Sequence, residues 1–175
     1  MKNLILIIAF MCSAAVAAEE STKVEIAFSP NNGGTDCTEL IVKTIGDAKE
    51  SILIQAYNFT SEKIGAAIAE ASKRGVDVHI ILDHVAAHEK GCQDEVCRKA
   101  GCNVEYDSKH KIAHNKLIII DGFVVIGGSF NYSDNAEEHN AENVTIIHNH
   151  SLAALYIANW NIHKLHSDPV LKDKK

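Results

Sequence analysis

His114-Asn115-Lys116-Leu117-Ile118-Ile119-Ile120-Asp121, followed six residues later by Gly128-Ser129-Phe130-Asn131, is the stretch whose reading decides the fold. Residues 117–120 are consecutive apolar β-formers and predict a buried strand. The run stops at Asp121-Gly122, a dipeptide suited to a tight hairpin turn, and residues 123–126 supply the return strand. Side chains alternate faces along a strand, so His114 and Lys116 are expected side by side at the mouth of an apolar hairpin. Such a pair suits a phosphate group. The ammonium neutralises phosphoryl oxygens, and the imidazole attacks phosphorus or moves a proton.

The spacing His-x-Lys, four residues, Asp, six residues, Gly-Ser-x-Asn resembles the HKD motif of the phospholipase D superfamily. Six positions within eighteen residues carry the match: His114, Lys116, Asp121, Gly128, Ser129 and Asn131. Ser29-Pro30, Gln55-Ala56-Tyr57 and the run from Arg74-Gly75-Val76 to Asp83 are similar to the pattern that precedes the motif. The likeness is closest to short, exported, single-motif bacterial endonucleases.

The resemblance implies a role for each residue. His114 is the nucleophile, forming a phosphohistidine, and Lys116 is a charge-assisted phosphate donor. Asn131 offers its amide to a phosphoryl oxygen, and Ser129 bonds either that oxygen or local backbone. Family members place a glutamate against the motif histidine, and Glu142 stands where it would fix the tautomer and stabilise the imidazolium. Asp121 belongs to the motif and so counts among the catalytic candidates. It also suits the turn itself, and a strand carries it ~16 Å beyond Lys116. Gly127-Gly128 lets backbone approach a ligand or a neighbouring strand.

A phosphohistidine route needs a second group to protonate the leaving oxygen, help worth ~10²–10⁴-fold. This chain carries one motif. The resemblance implies that two copies complete one site about a two-fold axis, each giving His114, Lys116 and Asn131. The expected activity is metal-independent hydrolysis of DNA, with RNA as a further substrate, in a homodimer. The alternative is a phospholipase D acting on phospholipid head groups, for which Phe130, Tyr132 and Tyr57 are the candidate aromatic rim. A secreted anion-binding protein with a relict site is disfavoured by the intact residue set. No cofactor and no metal is expected. His84 with His88, and His148 with His150, lack a clear third ligand, which also disfavours a metal-buffering role.

The 175 residues suit one domain with one core. Met1-Lys2-Asn3, the apolar residues 4–11 and Ala15-Val16-Ala17 read as a signal peptide over residues 1–18, leaving a nuclease-like domain over 19–175. The apolar run is shorter than the ~20 residues of a bilayer span. The mature chain is therefore expected in the periplasm or outside the cell, with no stable membrane anchor. Cys37, Cys92, Cys97 and Cys102 remain after cleavage. Two disulfides are the preferred reading in an oxidising compartment, with a zinc site or buried thiols as alternatives. The net charge of −6 argues against a surface built for non-specific nucleic-acid binding. Lys109, His110, Lys111, His114 and Lys116 nevertheless form a basic entrance on an acidic body.

Elsewhere, strands are expected at residues 24–28, 51–57, 76–82, 103–106 and 143–147. A helix capped by Thr38 carries Leu40, Ile41, Val42 and Ile45, and one capped by Ser61 carries Ile64, Ala67, Ile68 and Ala71. A short helix over residues 89–100 holds Cys92 and Cys97, and a last one over 151–165 turns Leu152, Leu155, Tyr156 and Trp160 inward. Strands alternating with helices predict an α/β domain, a mixed β-sheet flanked by helices on both faces.

Overall fold

Apolar runs of strand length alternate with helical ones from β1 (Lys23–Ser29) through α1 (Cys37–Gly46), β2 (Ser51–Ala56), α2 (Glu62–Lys73) and β3 (Asp77–Asp83). Next come α3 (Asp94–Lys99), β4 (Asn103–Asp107), β5 (Lys116–Ile120), β6 (Val124–Gly128), α4 (Asp134–Glu138), β7 (Glu142–His148) and α5 (His150–Lys164). The computed structural model describes residues 22–31 and 33–171. The expected leader (residues 1–18) and the charged tail at 172–175 lie outside the described residues. Among those described, no helix is long and apolar enough to cross a membrane.

The strands form one mixed sheet in the order β1-β7-β6-β5-β2-β3-β4. Strands β2, β3 and β4 run parallel, and the remaining neighbours are antiparallel. One face carries the larger core, where Ile52, Ile54, Ile80, Ile118 and Ile120 meet Ile41, Ile45, Ile64 and Ile68 of α1 and α2. The other face packs Ile81, Leu117, Ile119 and Val125 against Ala153 and Trp160 of α5. Strand β5 is thus covered on both sides, which is why its sequence reads as an unbroken apolar run. The expected two-faced α/β sheet is the one observed.

Helix α5 covers only part of its face. On β1, Ala27 turns into the larger core, and Val24, Ile26 and Phe28 point the other way, 50%, 55% and 64% exposed. They form an apolar stripe on an edge strand.

Several local expectations are corrected. Asp36, not Thr38, caps α1 by accepting from Glu39 N at 2.9 Å, while Thr38 donates its hydroxyl to Glu137 at 2.8 Å. The helix expected over residues 89–100 shortens to α3, because Gly91 takes φ +90° and Gln93 N bonds the Phe59 carbonyl at 2.9 Å. Cys92 therefore precedes the helix. Helix α5 is rolled from the expected face: Trp160 points inward as expected, but Leu155 is 69% exposed and Ala153 takes the inward place. The Trp160 indole donates to the Ile54 carbonyl at 2.9 Å, so its one polar atom sets the roll.

The two expected disulfides are absent, and Cys37, Cys92, Cys97 and Cys102 are free thiols. Cys37 lies on α1 with Glu137, Asp36 and Glu142 as its charged surroundings, whereas Cys92 and Cys102 both act on Cys97 of α3. Three clustered thiols and one remote thiol do not make two pairs. Burial pushes the thiols of the buried Cys37 and the half-buried Cys92 up to about 12, which disfavours their thiolates.

Candidate active site

The strand register gathers the motif at one end of the sheet. Lys116 opens β5 opposite Ala56, the last residue of β2. Gly128 closes β6 opposite Val144, and Glu142 opens β7 opposite Ser29. His114 lies outside the sheet, exposed, on the loop between β4 and β5.

That loop is pinned along its length. Lys109 N and His110 N donate to Asp107 Oδ1 at 3.0 and 3.3 Å, and Ala113 N donates to Asp83 Oδ2 at 2.7 Å. The Asn115 amide donates to Gln55 Oε1 at 3.0 Å, and Tyr57 N donates back to the Asn115 carbonyl at 3.1 Å. The His114 ring consequently packs on Tyr57 with centroids 4.7 Å apart. Lys116 Nζ lies 5.2 Å from the same ring and donates to the His114 carbonyl at 2.7 Å. The structure brings the two residues together, through a shared aromatic wall rather than strand alternation. Burial lowers the Lys116 ammonium below its ordinary value, and the Glu142 charge opposes that shift.

Gly128, at φ +144°, is where β6 crosses β7 so closely that a Cβ would run into the Asn143 carbonyl oxygen. The crossing sets Ser129 Oγ to accept from Asn143 N at 3.2 Å and from its side-chain amide at 3.3 Å. Ser129 thus makes the local backbone bond as an acceptor. The following loop is clamped to the end of β2: Thr60 N and Ser61 N donate to the Tyr132 carbonyl at 2.9 and 2.8 Å, and Tyr132 N donates to the Asn58 carbonyl at 3.2 Å. Asn131 Oδ1 is buried there with no hydrogen-bond partner. A buried amide end without a protein partner suits a ligand oxygen or its water, since the amide can present either end.

Two expectations fail on geometry. Within one chain Glu142 does not hold His114; its Oε1 accepts from the Asn140 amide at 3.1 Å, and its charge acts on Lys116. Strand β6 separates β7 from β5, and His114 has left the sheet for the Tyr57 side. Asp121 stands at the far end of β5, so it is not among the reacting groups of its own chain. Its carboxylate accepts from the backbone N–H groups of Lys49, Glu50 and Ser51 at 2.9, 2.8 and 2.9 Å. It takes φ +52° in a turn of three residues, Asp121 to Phe123, between the paired Ile120 and Val124, one longer than the Asp121-Gly122 dipeptide suggests. The turn-shaping reading of Asp121 is the one the structure supports.

Phe130 and Tyr132 are 1% and 2% exposed, core residues rather than a rim. Asp83 was given no role by sequence, yet its buried carboxylate holds Ala113 next to the proposed nucleophile. The signal was available: an acid closing an otherwise apolar strand must find donors.

A family model described as "Cardiolipin synthase, PLD-like domain" matches residues 41–162. A phospholipase D of Rickettsia conorii is 42% identical over 139 residues, covering 79% of this chain and 68% of that protein. A mitochondrial cardiolipin hydrolase of Chlamydomonas reinhardtii is 34% identical over 64% of this chain and 50% of its own length. Among solved structures, Nuc from Salmonella typhimurium, a phospholipase D family member, superposes with a TM-score of 0.78 at 32% identity. That match covers 84% of this chain and 97% of Nuc. NucT from Helicobacter pylori gives 0.74 at 25% identity, over 85% of this chain and 99% of NucT. With its motif histidine and lysine gathered on Tyr57 at one end of a seven-stranded mixed sheet, this chain is an enzyme belonging to the phospholipase D-like family of phosphodiesterases.

Proposed function

We propose that this enzyme is a metal-independent endonuclease that hydrolyses DNA, and RNA as a second substrate, in a site completed by two copies of the chain. The observation that carries this reading is a single complete His114, Lys116 and Asn131 set on a one-sheet domain. In the first step a His114 nitrogen attacks phosphorus, and a P–N bond forms as the P–O bond to the leaving nucleoside breaks. His114 of the second copy protonates that oxygen. The same imidazole then takes a proton from water, whose oxygen attacks phosphorus and breaks the P–N bond, releasing the phosphomonoester. Lys116 and Asn131 from both copies hold the phosphoryl oxygens of the five-coordinate transition state. The apolar stripe of Val24, Ile26 and Phe28 supports pairing, since Phe28 lies opposite Asn143 and so beside the site. Export to the periplasm or beyond is part of the same proposal and rests on the leader-like residues 1–18.

The lipid reading keeps the chemistry and changes the substrate. The names of the Rickettsia and Chlamydomonas relatives favour it, as does Ile112, 52% exposed two residues before His114. The buried Phe130 and Tyr132 speak against it. A panel of single-stranded DNA, RNA and phospholipid vesicles, with EDTA and no added metal, separates the two. DNA cleavage is expected, reduced more than ~1,000-fold in His114→Ala at unchanged fold. Vesicle turnover without DNA cleavage, a requirement for added Mg²⁺, or an active His114→Ala protein overturns the reading.

A further inference from the structure

A second polar cluster sits where β4 ends, built from residues the phosphodiesterase reaction does not use. The Asp107 side chain is fully buried. Its Oδ1 accepts the Lys109 and His110 backbone donors already described. Its Oδ2 faces three imidazole nitrogens at once: His110 Nδ1 at 2.9 Å, His163 Nδ1 at 3.1 Å and His166 Nε2 at 3.2 Å. The three ring centroids lie 5.0, 5.2 and 5.4 Å from one another, and the four ligand atoms all fall within 4.8 Å.

Hydrogen bonding alone fits this arrangement poorly. A carboxylate oxygen has about two lone-pair directions, so three imidazole donors over-subscribe Oδ2. If all three rings were protonated, three cations would crowd one anion. If they were neutral, tautomer choice could turn an N–H of each ring to Oδ2, but the third donor would find no lone pair left to accept it. A cation among the four atoms removes the conflict, because each imidazole then turns a lone pair, and Asp107 its negative charge, towards a common centre. Bonds of ~2.0–2.1 Å in a tetrahedron place ligand atoms ~3.3–3.4 Å apart. The three carboxylate–imidazole distances are already close to that, and ring rotation brings the imidazole nitrogens together.

We propose that Asp107, His110, His163 and His166 bind one zinc ion in a closed tetrahedral site that staples the end of α5 to the loop carrying His114. Three imidazoles and a carboxylate form a borderline donor set suited to zinc. The backbone holds most of the set in place. His163 lies in the last turn of α5, where the helix dipole favours a cation. His166 follows it, fixed by the Ser167 hydroxyl donating to the His163 carbonyl at 2.9 Å and by the paired backbones of Tyr106 and Asp168, at 2.8 and 3.0 Å. His110, 44% exposed, gives the ion its way in. With four protein ligands no position is left for water or substrate, so the ion is structural, and chemistry at His114 proceeds without it.

The test reads metal directly, so it is independent of the substrate assignment. Tag-free full-length protein, stripped with chelator and dialysed, is titrated with Zn²⁺ by calorimetry and with Co²⁺ by visible absorption. One ion per chain is expected, with the intense visible bands of tetrahedral Co²⁺ and a melting temperature raised by Zn²⁺. His163→Ala and His166→Ala should each weaken binding at least ~100-fold. His110→Ala, in an exposed loop, gives the same reading if an α5 variant fails to fold. Absence of binding to wild type, or binding unchanged in His110→Ala and His163→Ala, overturns the proposal. The second result would direct attention to the thiols near α3.

Discussion

At Asp121 three backbone N–H groups converge on one carboxylate and tie the β5–β6 turn to the entry of β2. Asp121→Ala should cost about 2 kcal/mol of stability in a urea titration, the scale of charge-assisted hydrogen bonds at a partly exposed site. Burial would raise this carboxyl, but the Ser51, Glu50 and Lys49 amides hold it below the ordinary 3.8. Its folded value is therefore depressed. Its contribution is whole above the unfolded value and is lost as pH falls from there through the folded value. Asp121→Asn should remove that part of the acid slope of stability, and an unchanged slope would show that the three amides do not read its charge. Glu142 acts on Lys116 in the opposite sense to burial. Glu142→Gln should therefore lower the Lys116 value further and move the alkaline limb of kcat/KM to lower pH. At this scale the sequence named His114, Lys116 and Asn131 because they stand at the spacing of the motif that the chain resembles. It set Glu142 against His114, whereas within one chain Glu142 acts on Lys116, because which strand separates two others is not a local property. It overlooked the Asp107 cluster for the same reason, although Asp107 with His110 and His163 with His166 repeat one spacing, three residues apart, that metal sites often use.

Element by element, most strands and the first two helices were legible, since an apolar period of two or of nearly four is a local signal. Helix α5 shows where that signal stops. Trp160 faces inward as its sequence position suggests, yet Leu152, Leu155 and Tyr156, which outnumber Ala153 as apolar candidates, do not set the face: Ala153 turns inward beside Trp160. A side chain as large as Trp160, with its N–H on the Ile54 carbonyl, outweighs several leucine-sized ones. Trp160→Ala should destabilise by ~3–5 kcal/mol in denaturant titration, whereas Leu155→Ala should change stability by less than ~1 kcal/mol. Comparable losses at both positions would contradict the observed roll. The disulfide expectation failed at this scale too, because even cysteine count and compartment say nothing about which elements bring thiols within bonding distance.

For the whole molecule, one motif per chain and the bare apolar stripe on β1 point to the same remedy, a second copy. Phe28→Glu places a charge in the centre of the proposed contact. The variant should sediment as a folded monomer and lose at least ~100-fold in turnover, as expected when the opposing acid is withdrawn. A fully active monomer would remove the shared site. Nothing in the composition announced this surface, because Val24, Ile26 and Phe28 alternate with Glu25 and Ala27 as in any half-buried strand. Only the limited reach of α5 leaves them bare.

Strand β1 finds its sheet partner only in β7, Lys23 against His148 and Ser29 against Glu142. During synthesis β1 therefore waits for β7, which is made long after it. A loop that long is slow to close, so long-range pairing delays completion of the sheet. A nascent chain released before residue 142 keeps β1 as a loose apolar ribbon, open to chaperones and proteases alike.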